Sequence, residues 1–130
     1  MKFLLLIHNN AEALAGLTPQ QQIELAGDRE RLAARVRELR ASGELLSVLA
    51  LDDPSTSQSA QLVAGTPVIS DRPFLETKEF LAGALLVDCP TIERALELAA
   101  EVPALELRRI EVRPVMELGD ADFAPGAAIR

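Results

Sequence analysis

The sequence predicts an α+β sandwich built from two strand–helix–strand units that share one sheet. Three observations carry this prediction. Continuous apolar runs occur in both halves of the chain, each run is followed by apolar residues at helical spacing, and a hairpin signal lies between the halves. Right-handed crossovers would place both helices on one face of a mixed sheet.

The first unit begins with a strand at residues 3–7, Phe-Leu-Leu-Leu-Ile, whose unbroken apolar character is typical of a central strand. Three signals then mark the start of a helix: Thr18 caps it, Pro19 suits its first turn and Gln21 completes a capping box. Gly43 ends this helix, because glycine readily adopts the left-handed conformation of a helix terminus. A second apolar strand follows.

The second unit repeats the order. It predicts a strand at residues 84–88, a helix that Thr91 caps and Pro103 ends, and a strand between 109 and 116 in which apolar and charged residues alternate. The buried face of its helix is predicted from four apolar residues at helical spacing: Ile92, Ala95, Leu96 and Ala99.

A short hairpin separates the two units. Residues 61–63 and 67–69 flank Gly65, and Pro67 limits one of the two strands to a sheet edge. The complete arrangement is ferredoxin-like with an inserted hairpin.

Composition limits the class of protein. A chain of 130 residues with 48% hydrophobic residues forms one domain with a substantial core. We assign residues 1–118 to this domain and residues 119–130 to a tail that a partner would order. The net charge of −7 argues against nucleic-acid binding. No apolar run is long enough to cross a bilayer or to act as a signal peptide, so we predict a cytoplasmic protein without membrane contact.

The single cysteine and single histidine limit the chemistry. Cys89 excludes an intramolecular disulfide. Because it ends an apolar strand, we interpret it as a small buried hydrophobe rather than a nucleophile. His8 has no second histidine to join it, and no carboxylates have the spacing of metal ligands. We therefore expect neither a metal nor another cofactor.

The uncovered face of the sheet predicts self-association. Two helices cover only one face, yet the first strand also places Leu4 and Leu6 on the other. Each leucine left in water forgoes about 1.5–3 kcal/mol relative to burial. We expect a homodimer in which the second copy, the hairpin or both cover this face.

Residues 71–83 carry the densest charge next to an apolar strand. They read Asp-Arg-Pro-Phe-Leu-Glu-Thr-Lys-Glu-Phe-Leu-Ala-Gly. This stretch resembles the signature of the YCII-related, or DGPF, family, which runs roughly Asp-Gly-Pro-Phe-x-Glu-x-Lys-Glu and then glycine. The similarity extends from residues 1–7 to residues 112–117. It implies the same α+β sandwich, commonly as dimers with pockets near the interface.

Two departures from the family pattern bear on function. Arg72 replaces the glycine of the signature, which adds bulk and charge beside any adjacent pocket. Some enzymes of the wider group use a His–Asp pair, whose positions fall near Leu32 and within residues 100–102, where only Glu101 is acidic. Since the first helix contains no histidine, the resemblance does not carry this pair over.

Two residues are candidate proton carriers, His8 and Asp71. Five residues of the signature are candidate ligand contacts: Arg72, Phe74, Glu76, Lys78 and Glu79. Lys78 paired with one of the two glutamates near a pocket would bind a polar group or tune a carboxylate. The structural alternatives are a strand-end hydrogen bond for His8 and an ion-pair network that pins the hairpin onto the sheet.

Three functions stay open at this point. The first is a dimeric domain that binds a small polar molecule. The second is a lyase or isomerase-like enzyme that uses His8 with Asp71, Glu76 or Glu79 on a small organic acid or ketone. The third is a regulatory partner of a sigma factor, because members of the resembling family are often encoded near, or fused to, such factors.

Overall fold

The computed structural model describes residues 1–73, 77–102 and 107–127. Within these ranges the chain forms six strands and three α-helices: β1 (Lys2–Asn10), α1 (Ala11–Ala15), α2 (Pro19–Ser42), β2 (Leu45–Ala50), β3 (Ser59–Val63), β4 (Thr66–Ser70), β5 (Glu79–Asp88), α3 (Ile92–Ala100) and β6 (Arg108–Pro114). None of the helices in these ranges is both long enough and apolar enough to span a membrane.

Four strands form one sheet in the order β2-β5-β1-β6, and every neighbouring pair is antiparallel. The prediction of a mixed sheet is therefore wrong. The two strands of the first unit do run in the same direction, but β5 lies between them and pairs with both. The α+β class is confirmed, and the strand order is compatible with the predicted ferredoxin-like arrangement.

The predicted boundaries of α2 are confirmed. Thr18 Oγ1 accepts a hydrogen bond from the Gln21 amide at 3.1 Å, and Gln21 Oε1 accepts one from the Thr18 amide at 2.9 Å. Gly43 ends the helix with a φ of 84°, a conformation that side chains disfavour. The helix buries Leu25 and Leu39.

The buried face of α3 differs from the predicted one. Thr91 caps the helix as expected, by accepting a hydrogen bond from the Arg94 amide. Ala95 and Ala99 are buried, but their neighbour on this face is Leu98, whereas Ile92 is 39% and Leu96 51% exposed. Ala95 and Ala99 fit an apolar stripe that includes Leu96 and also one that includes Leu98. Helical spacing alone therefore did not decide which of the two leucines is buried. Pro103 lies outside the described residues.

The core fills the space between the sheet and the helices α2 and α3. Phe3 and Val87 are paired across β1 and β5, and each is 1% exposed. Leu5 in the middle of β1 is fully buried. Cys89 is buried in the same cluster, and this burial raises the pKa of its thiol. Its interpretation as a buried hydrophobe is confirmed.

The opposite side of the sheet, which we call the open face, carries an apolar row of four leucines: Leu4, Leu6, Leu49 and Leu86. Leu4 pairs with Leu86, while Leu6 and Leu49 both lie beside Ala84. Leu49 is 58% exposed. Both faces of β1 are thus apolar, as the sequence indicated, and the helices cover one of them.

The hairpin of β3 and β4 is confirmed at its predicted place. Ala64 and Gly65 both have positive φ, 50° and 81°, as a two-residue hairpin turn requires. All residues from 60 to 70 are exposed. Four of them are large and apolar: Leu62, Val63, Val68 and Ile69.

A bidentate ion pair joins the start of β2 to α3. Arg94 donates from Nε to Glu44 Oε2 at 2.9 Å and from a terminal nitrogen to Glu44 Oε1 at 2.8 Å. These hydrogen bonds hold the pKa of the Glu44 carboxyl below its ordinary value of 4.5. The charged form is therefore favoured in the folded state.

This shift makes folding stability depend on pH. A carboxyl whose folded pKa is depressed adds stability above its unfolded pKa, and that stability is lost as the pH falls through the folded pKa. We expect Glu44→Gln to lower the free energy of unfolding at pH 7 by at most about 1 kcal/mol, because the pair lies near the surface. The difference between variant and wild type should shrink below pH 4.5. Urea unfolding at pH 7, 4 and 3 measures it, and a difference that stays constant across this range would contradict the assignment.

Candidate functional site

A cavity of about 500 Å³ opens on the open-face side, where β1 ends. We call it the signature cavity, because Pro73, Thr77 and the first residues of β5 line it. Its other walls come from His8 and from the loop that follows β2. Its apolar lining includes Leu51, Phe80 and Leu81, and its charged lining includes Asp52 and Glu79.

His8 reaches this cavity because strand alternation places it on the open face, on the same side of β1 as Leu4 and Leu6. The register between β1 and β5 shifts between Ile7 and His8, so that His8 lies opposite Leu81 rather than Ala82. The extra residue, Ala82, belongs to β5, and such bulges bend the strand that carries them and re-aim its side chains. Within the described ranges the imidazole makes no hydrogen bond. The structural alternative, in which His8 is a strand-end residue hydrogen-bonded to a neighbour, therefore has no partner residue there.

Glu79 is held at the same end of the sheet by a charge from β6. Arg109 lies beside His8 in the β1–β6 ladder, and one of its terminal nitrogens donates to both carboxylate oxygens of Glu79 at 3.2 and 3.3 Å. A histidine, a carboxylate and a guanidinium thus meet where three strands adjoin. Sequence reasoning placed Arg109 only on a solvated strand face. Its position opposite His8 depends on a pairing between strands some 100 residues apart.

The loop after β2 supplies a second set of polar groups. Asp53 accepts a hydrogen bond from the Ser55 amide at 2.9 Å, and the hydrogen bonds from Ser55 lower the pKa of the Asp53 carboxyl. Asp53 and Ser55 line an adjoining cavity of about 310 Å³, which shares Pro54, Pro73, Thr77 and Phe80 with the signature cavity. The composition of this loop gave no sign that it borders a cavity.

The other predicted site residues lie elsewhere. Asp71 does not line the signature cavity, and accepts a hydrogen bond from Gln58 Nε2 at 2.8 Å beside the hairpin. Arg72 lines a separate cavity of about 240 Å³ against the hairpin strands, and its carbonyl accepts a hydrogen bond from the Ser59 hydroxyl. The signature therefore does not act as one cluster within the described residues.

Lys78 does not pair with Glu79. Its Nζ lies 3.6 Å from Glu12 on α1, and both side chains are more than two-thirds exposed. The predicted contacts Phe74 and Glu76 lie outside the described residues. In the described ranges, no three His, Cys, Asp or Glu side chains are placed to hold a metal ion.

A further cavity, of about 370 Å³, lies on the helical side of the sheet, between α2 and the end of α3. We call it the helix-side cavity. Leu32 and Glu101, near which the resemblance puts the His–Asp pair of some similar enzymes, both line it. Glu101 is paired with Arg35 Nε at 3.1 Å, and Leu32 carries no proton to transfer. The chemistry of that pair is therefore absent at its expected place.

Comparison with known proteins agrees with the resemblance of the signature. A family model described as the YCII-related domain matches residues 1–119. An uncharacterized protein of Rhizobium meliloti (strain 1021) is 28% identical over 102 residues, which cover 78% of this chain and 80% of that protein.

Proposed function

The chain belongs to the YCII-related domain family, and from that premise we propose that it is a homodimeric domain that binds a small polar molecule in the signature cavity. The observation that carries the proposal is the convergence of His8 and Glu79 on an apolar cavity. Cavities of this size, apolar with a few polar groups, are the usual form of small-molecule sites.

The polar groups of the cavity favour a particular kind of ligand. Glu79 is already neutralised by Arg109, whereas His8 has no side-chain partner in the described ranges. Asp52 adds a carboxylate from the loop that follows β2. A ligand with one hydrogen-bonding group for the imidazole and an apolar part against Leu51 and Phe80 fits this lining. Small hydroxy or keto compounds have that form.

The proposed dimerisation is supported by apolar surface that nothing in the described chain covers. The open face includes Leu49 at 58% exposure, and the hairpin includes Leu62 at 71% and Ile69 at 63%. Large apolar side chains left exposed in this way often mark a surface of association. We infer that a second copy covers the open face. Because the signature cavity opens on that side of the sheet, a partner would also restrict its access to water.

A binding screen tests the proposal. A panel of small organic acids, ketones and alcohols is added to the protein and its unfolding temperature measured, because a ligand of the native state raises that temperature. At least one compound should stabilise the wild type. His8→Ala should bind it about tenfold or more weakly, the loss expected for a buried hydrogen bond.

The matched control is Asp71→Asn, which changes a nearby polar group that does not line the cavity. It should bind the same compound as the wild type does. If the compound still stabilises His8→Ala, the ligand binds outside the signature cavity. The same conclusion follows if Asp71→Asn loses as much stabilisation as His8→Ala does.

The lyase or isomerase alternative gains support from one feature, the shared cavity of His8 and Glu79. A histidine and a carboxylate on one cavity are the groups that move protons next to a carbonyl. Compounds identified by the screen are incubated with the protein in D₂O and followed by proton NMR. Exchange of a carbon-bound proton by the wild type and its loss in His8→Ala would support catalysis. Equal exchange in both proteins would remove His8 from any such reaction.

A further inference from the structure

The helix-side cavity has an unusual charge for this protein. The whole chain carries a net charge of −7, yet four arginines line this one cavity: Arg29, Arg31, Arg35 and Arg108. Only two carboxylates accompany them there, Asp28 and Glu101. The lining therefore has an excess of positive charge on an acidic molecule.

Two of the four arginines are already neutralised. Arg31 forms an ion pair with Asp28. Arg35 donates to Glu101 at 3.1 Å and to Glu38 at 3.0 Å. The pairing uses both carboxylates of the cavity and one from outside it.

Arg29 and Arg108 remain without a carboxylate in the described part of the chain. Arg108 begins β6 opposite Asn9, and it is half-buried. Its burial and the nearby charge of Arg29 both lower the pKa of its guanidinium. A partly desolvated cation beside a second cation is unfavourable unless an anion accompanies them.

The remaining wall is apolar. Leu25 is 7% exposed and Val102 is 4% exposed, and both line the cavity with the half-buried Leu32. A volume of about 370 Å³ is at the small end of the range for ligand pockets. The cavity thus combines a cationic end with an apolar wall.

From this arrangement we propose that the helix-side cavity binds a small organic oxyanion, whose carboxylate or phosphate group contacts Arg29 and Arg108 while its apolar part contacts Leu32. Guanidinium groups suit both kinds of oxyanion because their fork of donors matches two oxygens at once. The site lies on the opposite side of the sheet from the signature cavity, and it does not depend on the proposed function.

Calorimetric titration at constant ionic strength tests the site. Sodium benzoate serves as a carboxylate probe with an apolar body and inorganic phosphate as the second oxyanion. Benzamide and sodium chloride are the neutral and simple-anion controls. We expect saturable binding of benzoate, phosphate or both, and none of benzamide or chloride. Whichever oxyanion binds more tightly identifies the group that the site recognises, and failure of both to bind would overturn the proposal.

Variants locate the binding. Arg108→Gln and Arg29→Gln should each weaken it about tenfold or more, because each removes a charged hydrogen bond. Arg37→Gln is the matched control, since it makes the same change of charge on the same helix but does not line the cavity. An equal loss of affinity in Arg37→Gln would mean that the net charge of the protein, rather than this cavity, determines binding. That result would overturn the proposed site.

Two further measurements distinguish oxyanion binding at Arg108 from binding in the signature cavity. Without an oxyanion, Arg108→Gln should unfold at a higher temperature than the wild type, because it removes an uncompensated half-buried cation. His8→Ala should keep the full affinity, because His8 lines the other cavity. Loss of oxyanion binding in His8→Ala would place the probe in the signature cavity and overturn the proposal.

Discussion

Replacing Gly83 by alanine is expected to lower the free energy of unfolding by about 1–3 kcal/mol. A Cβ at this position would lie 2.4 Å from the carbonyl oxygen of Leu49 on the neighbouring strand β2. Since that atom belongs to the backbone, a side-chain rotation cannot relieve the contact. Either β2 or β5 has to move. Urea unfolding followed by circular dichroism measures the change.

The same substitution at Gly27 provides the control. Gly27 lies in the middle of α2, and a Cβ there would meet nothing within 4 Å. Alanine should therefore stabilise the protein by about 0.5–1 kcal/mol, because it restricts the unfolded chain and favours the helix. If glycine to alanine lowers the free energy of unfolding at position 83 and raises it at position 27, the space between β2 and β5 determines the loss at position 83. A neutral result at Gly83 would mean that β2 shifts freely.

Replacing Leu49 by lysine is expected to convert a dimer into a monomer. Leu49 is 58% exposed in a single chain, and a polar substitution at such a position in a true monomer changes stability by no more than about 0.5 kcal/mol. Inside a dimer interface, a buried unpaired ammonium group is instead strongly unfavourable. Sedimentation equilibrium of wild type and variant measures the change in mass.

Ile23→Lys is the corresponding control. Ile23 is 67% exposed, and it lies on α2, which packs on the other side of the sheet. It should leave the mass unchanged. A wild type that sediments as a monomer at micromolar concentration would contradict the proposed dimer, as would a Leu49→Lys variant with the mass of the wild type.

Local signals in the sequence were sufficient for the elements themselves. The cap at Thr18, the end of α2 at Gly43 and the turn at Gly65 each depend on a few adjacent residues, and each was predicted correctly. Strand order was harder, because it depends on contacts far apart in the chain. The prediction of a mixed sheet failed at this step, since nothing local indicated that β5 lies between β1 and β2.

The candidate site was predictable only in part, for a similar reason. The signature gathers charged residues along the chain, but closeness along the chain does not decide which partners they contact in the fold. Glu79 therefore binds Arg109, Lys78 approaches Glu12 and Asp71 contacts Gln58. The arginines of the helix-side cavity come from α2 and the start of β6. Nothing in the sequence indicated that their side chains lie close together.

The location of Cys89 has a consequence for how copies of this chain associate. It is the only thiol, and at 4% exposure oxidants and alkylating reagents reach it only after the fold opens. Two folded molecules therefore have no accessible sulfur to join covalently, so non-covalent contacts hold any assembly that they form.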